Sequence, residues 1–164
     1  MIESSEFAIP HVVASHQPDA AVDDAALLQS TLIELIDLSL MGKHAHWNVV
    51  GADFKPVHEF LDELVEEYRD WYDMVAERLT ALGASPDGQC ATVAATTHLP
   101  PLPGGPLADK AVLVQFSERV QSVAANVRLR AGALGDSDLA SQDLLVEVLR
   151  GLDKQGWMLQ AHLR

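Results

Sequence analysis

Apolar residues in this chain return at every third or fourth position over four long stretches, and nowhere alternate convincingly enough to predict a strand. Leu27, Leu28, Leu32, Leu35, Ile36 and Leu40 mark a first helix. It opens at Asp23 and Asp24, whose charge suits a helix N-terminus, and runs to about Val49, with Gly51 as its stop. A second helix begins near Asp53 as N-cap, tolerates Pro56 in its first turn, and carries Val57, Leu61, Leu64, Tyr68, Trp71, Val75 and Leu79 towards Gly83. The stretch from Ala84 to Pro106, rich in Pro, Gly and Thr, reads as a connection with a short helical piece around Cys90 to Ala95. A third long helix fits Leu107 to Leu134, with Val112, Phe116, Val120, Val123 and Val127 on one side and Gly135 at the stop. Ser137 then caps a fourth, striped by Leu145, Val148, Leu149, Leu152, Leu159 and Leu163. Residues 1–22, with Pro10, Pro18 and no basic side chain, read as a tail ahead of a single folded domain over residues 23–164. The predicted architecture is all-α: a four-helix bundle of two antiparallel hairpins joined by one long central crossover that carries a short helix.

Composition narrows this little. A chain of 164 residues supports one well-buried core, and 48% apolar with 21% charged residues is the balance of a globular protein. The first 42 residues hold neither Lys nor Arg, so no secretory signal is expected. Apolar runs such as Ala111 to Val114 fall far short of the roughly 18 residues that cross a bilayer, and a soluble cytoplasmic protein without a membrane partner is expected. With Cys90 as the single cysteine, an intrachain disulfide or thiolate cluster is excluded and any metal must take oxygen and nitrogen ligands. The net charge of −13 repels a phosphate backbone and favours cations, although solubility alone is the ordinary reading of an acidic chain and the charge only permits a metal function.

The informative chemistry concentrates on His46, His58, Asp62, Asp73 and Glu77. With His58 at zero on a helical wheel, Asp62, Asp73 and Glu77 fall at roughly 40°, 60° and 100°, so four of the five share one face of the second helix. Asp62 and Asp73 are nevertheless about 16 Å apart along the axis, several times a metal–ligand bond. One chain cannot close such a site. Two copies of the helix packed antiparallel about a two-fold axis can, because the His58 and Asp62 end of one then meets the Asp73 and Glu77 end of the other. A dinuclear centre inside one bundle, which needs Glu-x-x-His, is disfavoured because that spacing occurs nowhere in the chain. The alternative is a solvated acidic face, since Glu63, Glu66, Glu67 and Asp70 interleave with the carboxylates.

The run Lys43-His44-Ala45-His46-Trp47-Asn48-Val49-Val50-Gly51, followed by Val57-His58-Glu59-Phe60-Leu61-Asp62 and by Asp73-Met74-Val75-Ala76-Glu77-Arg78, resembles the signature of the Dps miniferritins in residue type and spacing. The similarity covers the body from about residue 24 onward, and the pattern around His46 and in the Thr92 to Pro100 link is similar to actinobacterial members. The resemblance implies a ferritin-like fold, a hollow homo-dodecamer, and His46, His58 and Asp62 as iron ligands from one subunit with Asp73 and Glu77 from its two-fold mate. It implies a ferroxidase that oxidises Fe²⁺, with hydrogen peroxide or dioxygen as oxidant, stores the ferric mineral and limits oxidative damage. Trp47 is similar to the tryptophan kept near such centres to intercept stray oxidising equivalents; core packing is the other reading. Trp71 and Trp157 are assigned to packing or interfaces. Asp138, Asp143 and Glu147 match the place where similar proteins line a three-fold pore, although helix capping explains Asp138 equally well. Glu63, Glu66, Glu67 and Asp70 are candidates for nucleating mineral, and His11, His16 and Asp19 for an accessory metal site.

The rival reading is a nucleic-acid binder, since some similar proteins coat DNA through basic tails. Residues 1–42 offer no basic side chain and Arg164 ends the final helix without a basic extension, so DNA binding is expected to be weak or absent unless divalent cations bridge it.

Overall fold

The computed structural model describes residues 18–135 and 137–164, with side chains from Asp24 onward. Four long helices form the bundle: α1 (Pro18–Asn48), α2 (Phe54–Ala81), α4 (Asp109–Leu134) and α5 (Leu139–Ala161), with the short α3 (Cys90–Thr96) inside the crossover. The short turns after α1 and after α4 make α1–α2 and α4–α5 hairpins, and the link between α2 and α4 is the single long connection. Each helix turns its apolar stripe inward. Leu28, Leu35 and Leu38 of α1, Leu61, Leu64 and Tyr68 of α2, Phe116, Val120 and Val127 of α4, and Leu145, Leu152 and Leu159 of α5 are all fully buried in one continuous core.

Four details differ from the sequence expectation. The first helix starts at Pro18, whose fixed φ and missing N–H suit a first helical turn. Val49–Val50 (β1) and Leu107–Ala108 (β2) pair in parallel, a two-residue ladder too short for any alternation to announce it. Ser137 does not cap α5: Asp138 does, accepting the Ser141 N–H at 3.1 Å, while the Ser137 hydroxyl donates to Asp24. Finally, Asp24–Asn48 has the length and apolar composition of a membrane span, but most of that segment is buried inside the bundle. Its most deeply buried carboxylate is partnered: Glu34 is 2% exposed and accepts from Arg130 and Asn126.

The crossover is tied down by polar contacts, because its prolines lack N–H groups and cannot build a ladder of their own. The buried Arg119 guanidinium donates to the carbonyls of Pro100 and Pro101, and Thr97 donates to Asp37. Gly51, in the turn between α1 and α2, has φ +142°, and a Cβ there would stand 2.1 Å from the Asp109 carboxylate. That carboxylate accepts the Asp53 N–H at 2.8 Å, so Asp53 occupies the N-cap position of α2 through its main chain and makes no side-chain cap. The turn that follows the first candidate ligand is thereby fastened to the start of α4.

Candidate metal centre

His46 lies in the last turn of α1 and His58 in the second turn of α2, and the Asp109-anchored reversal between them lays the two imidazoles face to face. Their ring centroids are 3.6 Å apart with the planes inclined by 21°. Each Nδ1 is 2.9 Å from the main-chain oxygen of the other residue. A carbonyl oxygen only accepts, so both Nδ1 atoms carry hydrogen and Nε2 is the ring nitrogen left on each residue for a metal. The pairing also has a local cause. The His46 carbonyl belongs to the last turn of α1, where no helix N–H reaches it, and the His58 imidazole supplies the missing donor. The His58 carbonyl already accepts within α2 and offers its second lone pair to His46. His46 is 7% exposed.

Asp62 stands one turn beyond His58, with its Oδ1 3.3 Å from His46 Nδ1 and accepting from Lys43 Nζ at 2.5 Å. The Lys43 hydrogen bond, reinforced by the neighbouring imidazoles, outweighs slight burial and holds the Asp62 carboxyl below the usual carboxylate range. It is therefore an anion whenever the protein is near neutral pH. Asp73 and Glu77 are exposed further along α2, where Asp73 borders a groove with Leu32, Ile36, Tyr72 and Pro86. Among the described residues neither takes part in an ion pair or side-chain hydrogen bond, and no group of three or more His, Cys, Asp or Glu side chains converges to hold a metal within the single chain. The fold brings His46, His58 and Asp62 together and leaves Asp73 and Glu77 apart from them.

The remaining candidates divide. Trp47 is 71% exposed, so core packing within the chain is not its role; its ring lies 5.8 Å from Lys43 Nζ. Trp71 is in the core against Tyr68, whereas Trp157 is exposed. Asp138 is committed to structure: both carboxylate oxygens lie 2.8 Å from an Arg78 nitrogen, and the Ser141 hydroxyl adds a further bond. Burial raises its pKa, but the bonds from Ser141 and Arg78 more than offset that and leave it below the normal value. Asp143 and Glu147, four residues apart, are exposed on one face of α5. Glu63, Glu66 and Asp70 face solvent, and Glu67 accepts from Gln155. His11 and His16, and the side chain of Asp19, lie outside the described residues. Sequence reasoning missed Lys43 as the partner of Asp62, although its position one turn before His46 was the available signal.

A family model described as a ferritin-like domain matches residues 25–164. The DNA protection during starvation protein 2 of Deinococcus radiodurans is 36% identical over 160 residues, which span 95% of this chain and 66% of that protein. The DNA protection during starvation protein of Mycolicibacterium smegmatis is 38% identical over 156 residues, spanning 87% of this chain and 78% of that one. Among solved structures, Dps from Microbacterium arborescens in its high iron form superimposes with a TM-score of 0.85 at 33% identity, over 90% of this chain and 96% of that one. With the ferritin-like domain covering nearly the whole helical body and these relatives aligned along it, the chain belongs to the Dps family of ferritin-like proteins.

Proposed function

We propose that this protein is a ferroxidase and iron store of the cytoplasm, oxidising Fe²⁺ at sites shared between two copies and holding the ferric mineral inside a hollow dodecamer. The observation that carries this reading is the reciprocal His46–His58 pairing, which leaves two Nε2 atoms for a metal beside an ionised Asp62. A histidine whose Nδ1–H is held by a carbonyl is the usual form of a metal-ligating imidazole. The uncommitted carboxylates of Asp73 and Glu77, too far along α2 to reach the same ion, are supplied by the two-fold mate. The high iron form of the Microbacterium relative is in keeping with iron as the substrate.

Imidazole nitrogen and carboxylate oxygen together suit Fe²⁺, and the carboxylates favour the higher charge of Fe³⁺. When two Fe²⁺ ions each give up one electron to one hydrogen peroxide, two protons are taken up, the O–O bond breaks and both oxygens leave as water. No hydroxyl radical is released, and the cell loses both reagents that would make one. Dioxygen is the alternative oxidant. Cations enter past Asp143 and Glu147, with Asp138 holding the helix that carries them, and Glu63, Glu66 and Asp70 provide carboxylates for the first mineral. Exposed Trp47, next to His46 in the chain, absorbs stray oxidising equivalents on this reading. A net charge of −13 favours protection of DNA by removing Fe²⁺ and peroxide over protection by coating it.

The test is to load the purified assembly with Fe²⁺ under anaerobic conditions, add peroxide, and follow Fe³⁺ absorbance. The His46→Ala, His58→Ala double variant should lose the rapid phase of oxidation; equal rates in both proteins would remove the histidine pair from the chemistry.

A further inference from the structure

Lys43 precedes His46 by three residues on α1, so the two side chains leave the same face of the helix. Its Nζ donates to Asp62 Oδ1 at 2.5 Å and at the same time stands 5.8 Å from the centre of the Trp47 ring. The carboxylate proposed as an iron ligand is thus already bound by a cation of the protein itself. A divalent ion bonded to that oxygen at about 2.0–2.2 Å would lie within about 5 Å of the ammonium, where two like charges repel. The lysine has somewhere to go. Its side chain is 25% exposed on a flexible four-carbon stem, and the face of the exposed Trp47 attracts a cation.

We propose that Lys43 is a resident counter-ion of the metal site, displaced from Asp62 by the incoming divalent ion and received by Trp47. This rests on the reading of His46, His58 and Asp62 as ligands. Before loading, the ammonium holds the Asp62 carboxylate beside the histidines. On loading, one positive charge gives way to two, so a monovalent ion gains little by entering. On release, Lys43 returns to Asp62 and competes with rebinding. The site is built for passage of iron towards the store rather than for retention.

Zinc, which has no redox chemistry, is the probe. Calorimetric titration of the assembled protein with Zn²⁺ at low salt should show Lys43→Gln binding on the order of 3- to 10-fold tighter than wild type. Lys43→Arg, which keeps the charge, should bind as wild type does. Tryptophan emission should shift during the titration in wild type and stay unchanged in Lys43→Gln, with Trp47→Phe identifying the source of the signal. Equal or weaker Zn²⁺ binding by Lys43→Gln, or tighter binding by both lysine variants, overturns the counter-ion role. Zn²⁺ binding undiminished by the His46→Ala, His58→Ala pair overturns the site itself, so the two failures are distinguishable.

Discussion

Asp138 ties α5 to α2 through one carboxylate: it caps α5, receives the Arg78 guanidinium of α2 and accepts the Ser141 hydroxyl of α5. Its side chain is 12% exposed and that of Arg78 27%, so solvent screens the pair only in part. Because its pKa in the fold lies below the unfolded value near 3.8, the stability it contributes is complete above that pH and is lost as pH falls further. Thermal unfolding of Asp138→Asn should accordingly run below wild type by about 1–2 kcal/mol at pH 6, with the gap narrowing steadily once the pH falls below 3.8. A constant gap across that range would show that the charge of Asp138 is not what matters. The same residue marks a limit of sequence reading. Ser137 and Asp138 are both good cap residues one position apart, and the choice was made by Arg78, a partner 60 residues away that local pattern cannot reveal. Lys43 and Asp62 are the same case at 19 residues' separation. Helical spacing put His58 and Asp62 on one face of α2, His46 joined them only through the family resemblance, and the exchange of Nδ1–H bonds that sets the imidazoles required the turn geometry.

Among the elements, α2 does the most. One stripe builds the core through Leu61, Leu64, Tyr68 and Val75, and an adjoining face carries His58, Asp62, Asp73 and Glu77. The long helices could be read from their apolar spacing because each buries a single stripe. The β1–β2 ladder could not be, since two residues hold no periodicity. Packing between α2 and α5 depends on Gly151, where an added Cβ would sit 2.1 Å from the Trp71 ring. Gly151→Ala gains helix propensity, but it must push a buried indole aside, and overpacking of this kind costs about 1–3 kcal/mol. Chemical denaturation should find the variant less stable; a neutral or stabilising result would mean that the α2–α5 contact has slack the structure does not display.

At the scale of the assembly, the proposed reading divides the ligands between the two ends of α2, and that division has an arithmetic signature. One variant, His46→Ala with His58→Ala, damages one half of each site, and another, Asp73→Asn with Glu77→Gln, damages the other half. A two-fold pair made from one subunit of each type regains one intact site and loses the other completely. Random co-assembly makes half of the pairs mixed, so Fe²⁺ oxidation should recover to about a quarter of wild type although each parent variant is inactive. Recovery near zero would place all the ligands within one chain or show that the acidic pair plays no part.

The parallel ladder between Val49–Val50 and Leu107–Ala108 closes a loop whose ends lie 58 positions apart. Joining the ends of such a loop costs about 3.6 kcal/mol in chain entropy, while each hydrogen bond returns about 1 kcal/mol net. So small a ladder cannot pay for its own closure. Its strands are held together by the packing of the two hairpins, so the ladder is a seal on their docking and has no means of outlasting it.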